Sequence, residues 1–184
     1  GVNMKIRQIV ASVFGIDVSM VKTENTNTTR NANTSATAAS SGADLNGNAA
    51  LIACKEILSR LKDFYSSKHN LSDSGSVEIK NEKVFVSEVE QSITWKELVS
   101  QAYLNRVDLS EHGFYATPEI YFNPATNKGK PFAYHVYGSA LITSVVDCLR
   151  GTYEIESVKV IHDFGQSINK VIDLSQAEGA LMQG

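Results

Sequence analysis

The first third of the chain has two apolar stripes with helical spacing and a long polar stretch between them. In the first stripe, apolar residues recur three to four positions apart: Ile6, Ile9, Val10 and Val13. Gly15 stands where a helix C-terminal cap belongs, so the pattern predicts a helix that ends just before it. Residues 18–22 alternate imperfectly and are a candidate short strand. Residues 23–33 are polar and lack periodicity, which predicts a long loop.

The second stripe predicts the longest helix of the chain, from about Ser41 to Tyr65. Its apolar face comprises Leu45, Ala49, Ile52, Ala53, Ile57 and Leu61. Ser41 and Asp44 have the spacing of a capping box, in which each side chain accepts a hydrogen bond from the other residue's backbone amide. The sequence therefore predicts that the helix begins at Ser41.

Small residues dominate positions 33–47, NTSATAASSGADLNG, which carry no bulky side chain before Leu45. Such residues let a ligand approach the backbone, and the amides at a helix start carry a partial positive charge. One interpretation is a cradle for an anionic or strongly hydrogen-bonding ligand. The other is an ordinary loop or a close helix contact. Asp44 favours the second interpretation, because its carboxylate already complements the helix dipole.

The middle of the chain predicts a hairpin, a capped helix and a strand. Residues 77–79 and 84–86 are short alternating runs around a polar turn. Thr94 opens a second capping-box pattern, and a helical stripe follows it with Trp95, Leu98, Val99 and Ala102. Residues 107–115 predict a strand. Residues 118–131, which begin and end on proline, predict an irregular loop.

The last third predicts a long hairpin and a final helix. Residues 132–146 and 153–162 are strongly β-prone, and Gly138 indicates a bulge or a close backbone approach. From about Asp173 a helical stripe directs Leu174, Ala177 and Leu181 to a core. Gln176 lies on another face, made of amides and small residues. Its carboxamide suits the edge of a heterocycle, and pairing with protein backbone is the alternative.

Composition narrows the class of protein without identifying a function. The 184 residues are 42% hydrophobic and 20% charged, enough for one core or two small ones. A net charge of −3 and a pI of about 5.8 argue against nucleic-acid binding, and no apolar run reaches bilayer length. Cys54 and Cys148 share no motif and are expected to be reduced and packed. Both ends adjoin helical patterns directly, so we expect an internal piece of a longer protein.

Common catalytic and phosphate-binding motifs are missing from the sequence. It has no glycine-rich Rossmann or Walker loop and no nucleophile elbow. Its four histidines lack zinc-ligand spacing, so no metal site is expected. His162 and Asp163 are adjacent in a predicted strand and would point to opposite faces. The chain therefore offers no self-contained set of catalytic residues.

Five segments in the same order resemble the molybdenum-binding subunit of xanthine dehydrogenase, in the molybdenum hydroxylase family. They are residues 33–47 (NTSATAASSGADLNG), 113–118 (GFYATP), 129–138 (GKPFAYHVYG), 162–169 (HDFGQSIN) and 172–184 (IDLSQAEGALMQG). Together they extend over most of the chain. The resemblance implies an α+β fold, expected as a two-layer helix-on-sheet arrangement with a mixed or antiparallel sheet.

The family resemblance also implies a cofactor and a reaction. Enzymes of this family use molybdopterin to hydroxylate a purine with oxygen from water, and pass electrons to iron–sulfur clusters and FAD on partner domains or subunits. By match of motif, the cofactor-binding residues would be Ile6, Thr37, Ala38, Ala39, Ser40, Ser41, Gly42 and Gln176. Gly42 stands where the family often has serine. Xanthine, hypoxanthine or a related heterocycle would suit this resemblance equally as substrate.

The resemblance places the catalytic glutamate of the family beyond Gly184. We therefore expect residues 1–184 to be a cytoplasmic part of a molybdopterin-binding domain that holds no molybdenum and is inactive alone. Its expected subregions are 1–65, 66–92 and 93–184. Two alternatives stay open: a non-catalytic binding or assembly module on the same scaffold, and an unrelated nucleotide-binding domain.

Overall fold

The computed structural model describes residues 1–30, 37 and 41–184, which form two compact units, Gly1–Thr117 and Pro118–Gly184. Both units combine helices with antiparallel strands, so the expected α+β class is confirmed. The long hairpin expected near the C-terminus is also present. The finer division into three subregions stays a prediction.

The first helix, α1, forms as predicted and begins the first unit. It comprises Val2–Phe14 and ends at Gly15, which adopts the left-handed conformation at φ 61°. The predicted strand at residues 18–22 is wrong, because Val18–Met20 form a single 3₁₀ turn instead. The Asp17 carboxylate accepts a hydrogen bond from Ser19 N at 2.8 Å, which caps this turn locally.

The long helix, α2, comprises Gly42–Lys68. Ser41 is its N-cap residue, but the predicted capping box is wrong, since the Ser41 side chain makes no capping hydrogen bond. The predicted apolar face is wrong in part. Leu45 is 37% exposed and Ile52 is 40% exposed. The buried stripe consists of Gly47, Cys54, Leu61 and Tyr65, with the neighbouring Ser66.

A three-stranded antiparallel sheet follows, in the order β1 (Val77–Lys80), β2 (Lys83–Val86) and β3 (Val89–Thr94). The sequence predicted the first two strands and missed the third. Helix α3 (Trp95–Leu104) starts at the predicted capping box of Thr94 and Glu97. The core of this unit joins the sheet to α2 and α3, with buried Leu61, Tyr65, Val77, Val84, Leu98 and Ala102.

The second unit contains two hairpins and a helix. Strands β4 (Tyr121–Asn123) and β5 (Lys128–Lys130) pair within residues 118–131, where only an irregular loop was predicted. Strands β6 (Gly138–Asp147) and β7 (Thr152–His162) form the long hairpin. The strand predicted over residues 132–146 begins only at Gly138. A Cβ at Gly138 would lie 2.5 Å from His162 Nδ1, so the close approach there is to a side chain of the paired strand.

Helix α4 (Lys170–Gln183) begins three residues before the predicted start at Asp173, because the Asn169 side chain accepts a hydrogen bond from Ile172 N at 3.1 Å and caps it. The expectation that Leu174 and Leu181 face a core is wrong, since they are 57% and 38% exposed.

The two cysteines were expected to be reduced and packed. Both are free, but Cys148 is exposed and only Cys54 is packed.

Candidate functional site

The first turn of α2 is the central element of the candidate cofactor site. Leu45 N donates to Ser41 O at 2.9 Å, which is the first hydrogen bond of the helix. The amides of residues 42–44 precede it and have no acceptor within the helix. Because the Ser41 side chain does not cap them, the helix start presents backbone donors rather than a closed capping box.

Gly42 and Thr37 meet beside this first turn, so the structure brings two of the predicted site residues together. Gly42 is buried, and a Cβ there would lie 2.8 Å from Thr37 Cγ2 and 3.2 Å from Val2 Cγ2. Thr37 would have to shift to admit a larger residue. The absence of a side chain at Gly42 therefore serves packing, and a ligand would meet Gly42 through its amide.

Asp44 does not close the helix start either. Its carboxylate accepts one hydrogen bond from Thr117 Oγ1 at 2.7 Å and another from Asn48 Nδ2 at 3.0 Å. Thr117 belongs to the segment GFYATP, so two of the family-like segments contact each other here. This pair could not be predicted from sequence, because no local pattern connects residues 73 positions apart.

Residues 107–117, which we call the strap, lie along α2 instead of forming the predicted strand. Val107 and Leu109 pack against the core of the first unit. Farther along, a Cβ at Gly113 would lie 2.0 Å from Ala49 O, so only glycine allows this approach. The strap then reaches the first turn of α2 through Thr117.

Arg60 of α2 binds the strap near its beginning. Its guanidinium donates to Asp108 O at 2.9 Å and Ser110 O at 3.0 Å, and also pairs with the Glu111 carboxylate. Hydrogen bonds from the side chain and backbone of Ser110, with a smaller contribution from Arg60, hold the pKa of the Asp108 carboxyl below its ordinary value. Asp108 therefore stays ionised beside the guanidinium at neutral pH.

Ile6 lies on α1 and is half-buried. Helix α1 packs against α2 at close range, since a Cβ at Gly47 would lie 2.9 Å from Ile9 Cδ1. Val2, at the beginning of α1, also lies beside Gly42 at the start of α2. The remaining loop predictions, Ala38, Ala39 and Ser40, lie outside the described residues.

Gln176 is an exposed residue of α4, in the second unit. No heavy atom lies within 4 Å of a Cβ built at Gly179, so the neighbouring turn of this helix is open. The segment HDFGQSIN builds the start of α4: Asn169 caps it, and Ser167 Oγ donates to the Asp173 carboxylate. Gln176 therefore presents its carboxamide from an anchored helix.

Two features are missing from residues 1–30, 37 and 41–184. Within those ranges, no group of three or more His, Cys, Asp or Glu side chains is placed to hold a metal ion. In the same part of the chain, no helix combines the length and apolarity that crossing a membrane requires. Among the predicted site residues that the structure describes, those of the first unit offer backbone amides and hydroxyls, and Gln176 of the second unit offers a carboxamide.

Comparison with known proteins gives the chain its family. A sequence profile of the molybdopterin cofactor-binding domain matches residues 1–184. The chain is 36% identical to xanthine dehydrogenase 1 of Arabidopsis thaliana, and 37% identical to both xanthine dehydrogenase of Oryza sativa subsp. japonica and xanthine dehydrogenase/oxidase of Gallus gallus. These alignments cover 100% of this chain but only 12% of each relative. The chain therefore belongs to the molybdopterin cofactor-binding domain family.

Proposed function

We propose that this chain supplies contacts to the molybdopterin cofactor of a xanthine dehydrogenase-type molybdenum hydroxylase. The observation that carries the proposal is the match of the molybdopterin cofactor-binding domain to residues 1–184. Relatives named xanthine dehydrogenase, 36% to 37% identical over the whole chain, support the enzyme class. A purine is the proposed substrate, and the proposed route for electrons is iron–sulfur clusters and FAD on partner domains or subunits.

The chemistry of the residues at the start of α2 fits a pterin that carries a phosphate. Gly42 itself is packed against Thr37 and Val2. The amides of residues 42–44 point out of the helix start, where a phosphate oxygen could accept from them. The one carboxylate of this turn, on Asp44, accepts hydrogen bonds from Thr117 and Asn48. Its acceptor capacity is therefore partly used away from the amides that a phosphate oxygen would take.

When bound, the molybdenum cofactor supplies the redox chemistry of hydroxylating a purine carbon with oxygen from water. Residues of this chain would bind and orient it. The backbone amides of residues 37–42 would donate to polar atoms of the cofactor, and Ile6 would supply an apolar contact. The Gln176 carboxamide can donate and accept at the edge of the heterocycle. None of these residues is assigned a catalytic role.

The proposal predicts that Gln176→Ala lowers the cofactor content of the intact protein that carries this sequence. Loss of a paired carboxamide removes a hydrogen bond worth about 1 kcal/mol, or roughly fivefold in affinity. Glu178→Ala is the matched control, since it truncates an exposed side chain of similar length on the opposite face of α4. Molybdenum would be measured by mass spectrometry, and the pterin by fluorescence after oxidative release.

We expect Gln176→Ala to reduce both molybdenum and pterin per polypeptide, while Glu178→Ala retains them. Equal occupancy in both variants would remove Gln176 from the site. A wild-type protein that contains neither molybdenum nor pterin, when purified from cells that make the cofactor, would contradict the proposal as a whole.

A further inference from the structure

The strap is held to α2 by side-chain contacts, because it forms no strand. Between residues 107 and 117 the structure assigns no ladder pairing, yet the backbone carbonyls there still need hydrogen-bond donors. Arg60 donates to two of them, on Asp108 and Ser110. One side chain therefore takes over part of the role that a neighbouring strand would have in a sheet.

A guanidinium is suited to this task because of its shape. Its donors lie in one plane at fixed angles, so a single arginine can bind two carbonyls and a carboxylate in a defined geometry. Arg60 does so with Asp108 O, Ser110 O and the Glu111 carboxylate, while its side chain is only 28% exposed. A lysine would preserve the charge and lose the directions of these bonds.

The position of the strap is transmitted along α2 by two further contacts. Gly113 lies so close to Ala49 O that a side chain would not fit, which fixes the register of the strap at that turn. Thr117 Oγ1 then donates to the Asp44 carboxylate at 2.7 Å, in the first turn of the helix. Arg60 is 16 residues from Asp44, or about 24 Å along the helix axis.

We propose that Arg60 is a positioning residue: by setting the register of the strap on α2, it holds Thr117 against Asp44 and so orders the first turn of the helix. The consequence of this positioning for cofactor binding rests on the proposed function. The structural claim is independent of that function and can be tested in the intact protein that carries this sequence, prepared without the cofactor.

The test is hydrogen exchange and methyl NMR on the intact protein that carries this sequence, with Arg60→Gln introduced. We expect at least a tenfold increase in amide exchange at residues 45–48 and a changed Thr117 methyl signal, with amide exchange in α3 unchanged as the measure of an intact core. Lys55→Gln is the matched control, because it removes one positive charge from an exposed position of the same helix. It should leave residues 45–48 and Thr117 as in the wild type.

Two further variants separate positioning from local attachment. Thr117→Val should accelerate exchange at residues 45–48 and leave residues 107–111 unchanged, because it breaks only the last link. Arg60→Lys should behave like Arg60→Gln, because charge alone does not set the register. The proposal is overturned if Arg60→Gln alters only residues 107–111, or if Arg60→Lys restores wild-type exchange at residues 45–48.

Cofactor content in the intact protein then tests the link to function separately. Arg60→Gln should lower molybdenum and pterin together, and Lys55→Gln should not. Accelerated exchange at residues 45–48 with unchanged cofactor content would support the positioning role and contradict the proposed cofactor contact at this helix start. Unchanged exchange would overturn the positioning role, whatever the cofactor content.

Discussion

The two units of the chain differ in how they use apolar residues. The first unit, Gly1–Thr117, contains a continuous core in which Leu61, Val77, Val84 and Leu98 are almost fully buried. In the second unit the long hairpin leaves one apolar face exposed, made of Ile142, Val146, Tyr153, Ile155, Val158 and Val160. Similar residue types thus stabilise the first unit and remain at the surface of the second.

The strand register of the long hairpin explains why these apolar side chains share one face. Thr143 pairs with Ser157 and Ser144 pairs with Ile155, so Glu156 is an extra residue that forms a bulge. Without it, the alternation of β7 would place Ile155 and Tyr153 on the face opposite Val158. The bulge therefore gathers apolar side chains from both halves of the hairpin on one face.

The largest expected effect separates the cores of the two units. Leu98→Ala empties a fully buried position and should destabilise the first unit by about 2–5 kcal/mol. Ile142→Ala truncates a side chain that is 55% exposed, and should cost less than about 1 kcal/mol. Urea unfolding followed by residue-resolved hydrogen exchange would report each unit separately. A larger loss for Ile142→Ala would contradict the comparison.

A smaller effect concerns the starts of two helices in the first unit: α3 begins with a capping box, and α2 does not. Thr94→Ala should cost about 1 kcal/mol, because the amide of Glu97 loses its capping acceptor. Ser41→Ala should remove no capping hydrogen bond from α2, since the Ser41 side chain makes none. Both variants can be compared by their urea midpoints at neutral pH. Equal losses would contradict the difference between the two helix starts.

The same capping box predicts a pH dependence. Hydrogen bonds from the Thr94 backbone and side chain hold the pKa of the Glu97 carboxyl below its ordinary value. A folded-state pKa below the unfolded one stabilises the protein above the unfolded pKa, and this contribution is lost as the pH falls through the folded pKa. Glu97→Gln should therefore weaken the acid dependence of the urea midpoint. An unchanged acid limb would exclude Glu97 as a contributor.

Elements with local signals were predictable from the sequence. Helix α1 and its Gly15 cap, the capping box at Thr94 and the first hairpin each depend on residues a few positions apart. The conformation of the strap was not predictable from the sequence. Its alternating residues resemble a strand, but its hydrogen-bond partner is the Arg60 side chain, about 50 residues away in the sequence. The exposed Leu174 was missed for a related reason, since periodicity identifies a face but not whether it is covered.

The chemistry of the candidate site was inferred from the sequence and stays a prediction, whereas its contacts needed the structure. Small residues at positions 33–47 indicated a close approach to the backbone, and the family resemblance selected residues 37–42 among them. In the structure Thr37 and Gly42 lie together. The roles of Asp44 and Thr117 needed coordinates, because their hydrogen bond joins two separate segments. Their presence in two family-like segments was the only available signal, and spacing alone could not pair them.

The most direct test of the central claim is an experimental density map of the intact protein with its molybdenum cofactor bound. The account predicts backbone amides from residues 37–42 within about 2.7–3.2 Å of polar atoms of the pterin or its phosphate. It also predicts the Gln176 carboxamide at hydrogen-bond distance from the heterocycle. A map in which the cofactor contacts neither residues 37–42 nor Gln176 would contradict it.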